Sequence, residues 1–363
     1  MSIQIRILKC LFVIFGIIFF LATTTAQAAK TPAKPATPAA PSIPFTLQKS
    51  ADWILTQAGE CDTLSLFLRN PADPLQQLFY FPRFGPVYMT QEQKASDLQY
   101  EIFSGQSLNR LDMPVVQPLN PQNFVHFLPQ VFQMKTMRDF MPERPGLRVV
   151  EPIATYPQKN ALDYIDTQTA IIRILFVQEN RLGEGLISIT TVPSPEFRND
   201  PGGGIGMGYM LYGLTAPKGE LTAKLPPLLA AGRSFKLGTD YEKKCRKARA
   251  EDLPQLLPDG QSLSPVLNAM ALAWEKKLPA EDMLAEKKTD QLRGVERLYS
   301  PATGDVYEFP LGFGADYLLH PEQFNLNGLR PLPDEPGLWL KTPLNGSKTV
   351  IKYKGETNAK RSQ

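Results

Sequence analysis

The clearest pattern of apolar positions lies between Ala170 and Thr215. A run at 170–177 that is apolar apart from Arg173 is followed by a polar segment with glycines at 178–185 and by a β-branched run at 186–192. A glycine-rich loop then leads to another apolar run at 209–215. Short apolar runs between turn-forming segments are typical of buried strands. This stretch therefore predicts three strands at the centre of a sheet.

Shorter apolar runs predict further strands. Runs at 53–57, 64–68 and 77–81 are separated by segments rich in Gly, Asn, Asp and Pro, which favour turns. They predict an antiparallel meander. A run at 147–156 predicts one more strand ahead of the central segment.

Two helix starts can be read from capping residues. Thr90 and Gln93 have the spacing of a capping box, and the thin apolar content that follows indicates a surface helix. Asn120 and Pro121 suit the N-cap and the first helical position of a second helix. Apolar residues between 124 and 137 give that second helix a broad stripe that must pack on something.

The second half of the chain predicts two more helices. Leucines between 221 and 229 recur at helical spacing, and Gly232 ends that segment. Beyond a proline-containing boundary at 251–260, apolar residues at a strict three-four spacing between 263 and 278 predict a helix that docks on one partner face. The continuation at 280–293 is mostly charged, and we expect it to be solvated.

A hairpin is predicted near the C-terminus. Alternating runs at 295–299 and 305–309 flank the turn Ser300 to Gly304, which contains proline early and glycine late.

Together these elements predict an α+β fold with a mostly antiparallel sheet covered by helices on one face, followed by a helical connector and a small β-hairpin module. The predicted divisions are a signal peptide at 1–28, a Pro/Ala-rich linker at 29–44, an α+β domain at 45–250, a helical connector at 251–293, a C-terminal hairpin module at 294–340 and a disordered tail at 341–363.

The N-terminus indicates export. Arg6 and Lys9 precede an apolar run at 10–22, which ends in small residues with Ala26 and Ala28 at the spacing of a cleavage site. An uncleaved membrane anchor is the alternative, although the run is shorter than the ~20 residues that a spanning helix needs. We expect a periplasmic or extracellular protein.

Charge and cysteine content narrow the function classes. Removing the signal segment lowers the formal charge from +3 to about +1, which argues against a nucleic-acid partner. Cys61 and Cys245 then remain as a pair in an oxidising compartment, so we predict a disulfide, with two unlinked thiols as the alternative. Closing so long a loop would contribute ~4 kcal/mol in the chain-entropy model.

Motifs for cofactor chemistry are lacking. The glycine-rich segment Pro201 to Gly208 has neither the dinucleotide-binding spacing nor a phosphate-loop lysine, so it is interpreted as a connection between strands, with a substrate-facing loop as the alternative. No clustered metal-ligand set and no nucleophile elbow occur, and we expect no cofactor. Glu179 and Glu184 flank the predicted hairpin turn at 178–185, where acids are usually solvated.

Four aromatic residues form a candidate contact surface. Tyr299, Tyr307, Tyr317 and Trp339 could stack on sugars or on a partner, because flat aromatic faces supply much contact area at small entropy cost. The alternative is that they pack inside their own module.

Two resemblances bear on the fold. The run 209–220, with 225–229 and Arg233 to Phe235, resembles the closing strand and helix of PsbP-like proteins, an α+β family whose best-known members are lumenal, non-catalytic subunits of photosystem II. This resemblance implies an α+β fold and assigns no functional residue.

The second resemblance is broader. Cys61 with the turn at 69–74, the glycine loop and the hairpin from Tyr299 to Tyr307 are similar to features of exported bacterial proteins without assigned activity. It implies export and no particular chemistry.

The sequence therefore predicts an exported, non-catalytic binding or scaffold protein whose partner is an envelope protein or a glycan, with membrane contact only through an uncleaved signal segment. One alternative is a secreted hydrolase using paired carboxylates, which would need two facing acids ~5 to 9 Å apart in a cleft. Another is a signal-anchored accessory subunit of an envelope complex. A flat aromatic patch without such acids would favour binding.

Overall fold

A computed structural model describes residues 45–108, 110–160, 166–193, 204–249 and 263–353. The predicted signal peptide, the linker and the boundary at 251–260 lie outside the described residues, as do part of the glycine loop and residues 354–363. The strands are β1 (Phe45–Thr46), β2 (Ile54–Ala58), β3 (Ser65–Asn70), β4 (Asp73–Tyr88), β5 (Val149–Gln158), β6 (Gln168–Gln178), β7 (Arg181–Pro193), β8 (Ile205–Pro217), β9 (Lys236–Leu237), β10 (Val295–Tyr299), β11 (Val306–Pro310), β12 (Arg330–Pro331) and β13 (Leu344–Asn345). The helices are α1 (Gln91–Ser104), α2 (Pro121–His126), α3 (Leu128–Gln133), α4 (Lys135–Phe140), α5 (Leu221–Arg233), α6 (Thr239–Arg249), α7 (Ser264–Glu275), α8 (Pro279–Arg293), α9 (Phe313–Leu319), α10 (Pro336–Trp339) and α11 (Gly346–Thr349).

Seven of the described strands form one antiparallel sheet in the order β2-β3-β4-β8-β7-β6-β5. Two meanders, β2 to β4 and β5 to β8, meet where β4 pairs with β8. The predicted α+β class and antiparallel sheet are confirmed. The hairpin turn between β6 and β7 is shorter than predicted, because Glu179 and Asn180 alone form it with positive φ angles of 51° and 59°. Such a two-residue turn matches the twist of the strands, so 181–185 belong to β7.

Helices cover both faces of this sheet, whereas the sequence analysis placed them on one. Phenylalanines of β4 pack under α2 and α3 on the first face, around Phe132. Leucines of β3, β4 and β8 pack under α5 and α7 on the second face, around Leu228 and Leu267. The central strands are apolar on both sides, so each face requires a covering layer. Consequently α7 is part of this core rather than a connector.

The predicted helix at 120–137 is divided into three. Asn120 caps α2 as predicted, since its Oδ1 accepts the Asn123 N–H at 2.8 Å. The backbone leaves the helical path at Met134, and Phe127 marks the junction between α2 and α3.

The C-terminal module contains the predicted hairpin, formed by β10 and β11, with β12 and β13 on either side. Its own apolar core contains Leu298, Phe309 and Phe324. Residues 341–353 were predicted to be disordered, but β13 pairs in parallel with β11, and α11 packs above Phe309. Gly346 permits this close approach, because a Cβ atom there would lie 2.3 Å from the Phe309 ring.

In the part of the chain that the structure describes, no helix has both the length and the apolar character needed to cross a membrane.

Candidate interaction surface

The predicted disulfide is present. Cys61 and Cys245, 184 residues apart in sequence, are bonded with a Cα–Cα distance of 5.2 Å. The bond joins the short 3-10 turn before β3 to α6, and the Cys61 N–H also donates to the Tyr241 hydroxyl at 2.7 Å. The connection between β2 and β3 is therefore fixed covalently to α6, which follows β9 much later in the chain.

The four predicted contact aromatics do not form a common exposed surface. Tyr307 and Tyr317 are buried in the module core, where the Tyr317 hydroxyl donates to the Leu326 carbonyl at 3.0 Å. Tyr299 and Trp339 are half-buried, and the Trp339 indole N–H donates to the Pro333 carbonyl. A module this small needs its aromatic residues for its own core.

Glu184 was expected to be solvated, but it is buried. It is 3% exposed and accepts the Gly219 N–H at 2.8 Å, and it lies 3.6 Å from the Arg173 guanidinium. The two-residue turn explains this difference, because it places Glu184 within β7. Glu179 lies in the turn and is exposed.

The charged helix α8 was also expected to be solvated, and it instead lies between the sheet and the C-terminal module. Asp282 binds buried Arg173 at 2.7 Å, and Asp290 binds buried Arg297 at 2.7 Å. Glu286, midway between the two, also pairs with Arg297. Carboxylates spaced four residues apart on α8 therefore connect Arg173 of the sheet with Arg297 of the C-terminal module.

We call these ion pairs of α8 with Arg173 and Arg297 the ionic layer. Each of the two arginines also lies over a tryptophan ring. The Arg173 guanidinium lies 4.9 Å from the Trp274 ring, and the Arg297 guanidinium lies 5.3 Å from the Trp339 ring. Aromatic faces stabilise desolvated cations by cation–π attraction. Burial raises the pKa of Asp290, and the Arg297 charge only partly offsets that effect.

Helix α1 is attached to the sheet by polar groups. The Asp97 carboxylate, which is buried, accepts hydrogen bonds from the Tyr88 hydroxyl at 2.7 Å, from the Gln93 amide at 3.1 Å and from Arg110 at 2.5 and 2.9 Å. Thr90 caps the helix as predicted, with its hydroxyl 3.2 Å from the Gln93 N–H. The buried residues of α1 are Gln93 and Asp97, so its inward side is polar.

The electrostatics of this cluster favour an ionised Asp97. Burial alone would raise the pKa of Asp97. Hydrogen bonds from Arg110 and Tyr88, together with the Arg110 charge, lower the pKa by a larger amount, so the net shift is downward. Burial and the neighbouring Asp97 raise the pKa of Tyr88 far above its usual value, so the phenol stays protonated and donates. The cluster therefore fixes the rotation of α1 about its axis.

The opposite side of α1 is apolar and faces solvent. Leu98, Ile102 and Phe103 are 49%, 68% and 86% exposed, and Tyr100 is also exposed. A surface helix normally turns its apolar stripe toward the core and its polar side to water. This helix does the reverse, so we define the exposed side of its last two turns as the α1 face. The capping pattern predicted a surface helix here but not this face, although the sequence contains four large apolar residues within six positions.

Among the clefts on the described surface are three of similar size. One of about 430 Å³, which we call the arginine cleft, lies between α4 and the ends of β4 and β8 and contains Arg83. Another, of about 530 Å³, contains Asp112 and Arg148, and a third, of about 440 Å³ between α2 and β5, is lined by amides and hydroxyls. None of these three clefts is lined by two carboxylates, so they provide no acid pair for the hydrolase hypothesis.

Within the described ranges, no group of three or more His, Cys, Asp or Glu side chains is placed to hold a metal ion. No protein-family model matches the chain, and no curated protein matches it at a significant level. The resemblances to PsbP-like proteins and to exported bacterial proteins therefore stay predictions.

Proposed function

We propose that this protein is an exported, non-catalytic binding or scaffold protein, and that the α1 face holds it in an apolar groove of an envelope protein. The observation that carries the proposal is the inverted arrangement of α1, with Asp97 buried and Ile102 exposed. Contiguous exposed apolar residues usually mark interaction sites. The disulfide between Cys61 and Cys245 supports the exported part of the proposal.

The chemistry of the α1 face favours a protein partner. The exposed residues of the α1 face are Leu98, Gln99, Tyr100, Ile102, Phe103 and Ser104, and none of them is charged. The exposed acid Glu92 lies in the first turn of the helix, outside this face. A helix that binds anionic lipid carries Lys and Arg beside its apolar stripe. A sugar requires several convergent hydrogen-bonding groups, whereas Leu98, Ile102 and Phe103 make the centre of this face apolar.

The size of the α1 face favours a groove over a second copy of the chain. The helix has 14 residues, which corresponds to about 21 Å at 1.5 Å per residue. Two such faces packed against each other would bury less than the roughly 1,200 Å² of a stable interface. A groove can enclose Leu98, Ile102 and Phe103 as anchors in the helix-in-groove mode.

A tagged full-length chain purified from the native envelope tests this proposal. Ile102→Glu places a charge at the centre of the α1 face, and Leu272→Glu is the matched control, because Leu272 is 51% exposed on α7. We expect the wild type and the control to retain the same partner, and Ile102→Glu to lose it. A photo-crosslinking residue at Phe103 should join the chain to that partner, which mass spectrometry identifies.

Two results would contradict the proposal. In one, all three forms retain the same partners. In the other, the purified wild type is a dimer that Ile102→Glu dissociates, which would make the α1 face a self-association surface. The accessory-subunit alternative uses the same face and differs in the N-terminus of the purified chain, which begins near Ala29 only if the signal segment is cleaved.

A further inference from the structure

The arginine cleft forms where β4 departs from regular pairing. The register between β4 and β8 shifts between Phe84 and Val87, and the two residues in that shift, Gly85 and Pro86, line the cleft. Such bulges bend a strand and redirect its side chains, and they are frequent beside binding sites. The irregular strand end thus opens a cavity against α4.

The floor and walls of the cleft are apolar and adaptable. Met137 and Phe140 of α4 face Ile205 and Met207 of β8 across it. Met137, Ile205 and Met207 are buried, although they line an open cleft. Methionine side chains are flexible and polarizable, so they fit apolar ligands of different shape.

Among the described residues that line the cleft, the polar groups leave one uncompensated positive charge. Arg110 lines it, but both Asp97 oxygens bind its guanidinium at 2.5 and 2.9 Å and balance its charge. Arg83 is exposed, and within the described ranges its side chain forms no ion pair. Thr136 also lines the cleft, and its hydroxyl can donate a hydrogen bond, whereas the Thr63 hydroxyl already donates to the Glu60 carbonyl at 2.8 Å.

We infer that the arginine cleft binds a small monocarboxylate with an apolar body, whose carboxylate pairs with Arg83 and whose body packs against Met137 and Met207. The planar guanidinium of Arg binds carboxylates bidentately, and the apolar walls of the cleft suit the body of such a ligand. The volume of about 430 Å³ is near the small end of ligand pockets, which span roughly 300–1,000 Å³. The inference is independent of the α1 face and of its protein partner.

The test uses the full-length oxidised chain carrying ¹³C-methyl methionine, with decanoate as the anionic probe and decylamine as its cationic counterpart. We expect decanoate to shift the Met137 and Met207 methyl signals saturably, and decylamine to leave them unchanged. Arg83→Gln should weaken decanoate binding at least about tenfold, because a charged hydrogen-bonded pair is lost. Lys236→Gln, at another exposed cation, should leave the dissociation constant unchanged.

A flat probe, 2-naphthoate, separates two kinds of apolar body. Either carboxylate binding with dependence on Arg83 supports the inference, and their relative affinities show whether the cleft prefers a chain or a ring. The inference is overturned if neither carboxylate binds saturably, if decylamine binds as tightly as decanoate, or if Arg83→Gln binds as the wild type does. Arg83 is exposed, so its replacement is compatible with folding.

Discussion

Helices α1 and α8 are both rich in polar residues, and both bury carboxylates, yet their opposite sides differ. The α8 carboxylates Asp282 and Asp290 bind arginines from two different layers of the molecule. Asp97 of α1 binds partners on one side of its helix only, and the other side exposes Ile102 and Phe103. In both helices, buried polar groups fix how the helix is rotated about its axis. The helices differ on the remaining side, which contacts a second layer of the molecule in α8 and faces solvent in α1.

The ionic layer of α8 has a structural purpose within the chain. Arg173 belongs to the sheet and Arg297 to the C-terminal module, and carboxylates of one helix bind both. Ion pairs in such a layer need near-complete pairing, since an unpaired buried charge is costly. We therefore expect the free energy of unfolding to fall when one partner of an α8 ion pair is replaced by a neutral residue.

The largest expected effect comes from Arg173→Met. It removes the cation between Glu184 and Asp282, and it leaves Glu184 buried without its opposite charge. Breaking a buried pair in this way costs about 3–5 kcal/mol. Urea denaturation at pH 7 measures the loss in free energy of unfolding.

Arg181→Met is the matched control, because Arg181 is exposed and pairs with Asp73 near the turn at the end of the same hairpin. It should cost less than about 1 kcal/mol. If Arg173→Met lowers the free energy of unfolding no more than the control does, the ion pairs of α8 contribute little to stability. The contrast between a structural α8 and an exposed α1 face would then be wrong.

The sheet was predictable because its evidence is local. Apolar runs, turn residues and the caps at Thr90 and Asn120 identify most strands and two helix starts. The placement of helices on both faces was not predictable, since it depends on which side of each strand a distant helix reaches. The same limit explains why 341–353 were wrongly predicted to be a disordered tail. The pairing of β13 with β11 joins segments about 35 residues apart, which local sequence patterns do not reveal.

The misassigned charged residues have one physical cause. Composition makes 280–293 appear solvated, but Asp282 and Asp290 are neutralised by arginines that come from other elements. Glu184 is buried because its hairpin turn has two residues rather than eight. On α1 the sequence contains the apolar cluster around Ile102, but the charged partner of buried Asp97 is Arg110, which lies beyond the end of the helix. Partner identity, rather than residue type, decides burial in each case.

An intermediate effect is expected from Asp97→Asn. At pH 7 the carboxylate binds Arg110 and Tyr88, and losing its charge should cost about 1.5 kcal/mol. Hydrogen bonds to charged groups contribute roughly 1.5–3 kcal/mol, and the cost lies at the low end because the Arg110 side chain is 33% exposed and can be hydrated. The pKa of Asp97 is lowered on folding from its ordinary 3.8. The stabilisation from its ionised form is therefore complete above that ordinary pKa and is lost as the pH falls through the folded-state value.

Urea denaturation of the wild type and of Asp97→Asn at pH 7 and at pH 3 tests this sign. The gap between the two forms should narrow in acid, whereas Glu92→Gln, at an exposed acid of the same helix, should stay close to the wild type at both values. A gap that widens in acid would show that the neutral carboxyl group is the bound form.

The smallest expected effect comes from the α1 face itself. Ile102→Gln and Phe103→Gln replace side chains that are 68% and 86% exposed, so each should change the free energy of unfolding by less than about 0.5 kcal/mol. Leu128→Ala, at a fully buried site under the sheet, should cost about 2–5 kcal/mol in the same measurement. If the two α1 variants approach the cost of Leu128→Ala, the face is packed within this chain and needs no partner. If they do not, the apolar side of α1 contributes little to the stability of the isolated fold, as the proposed partner site requires.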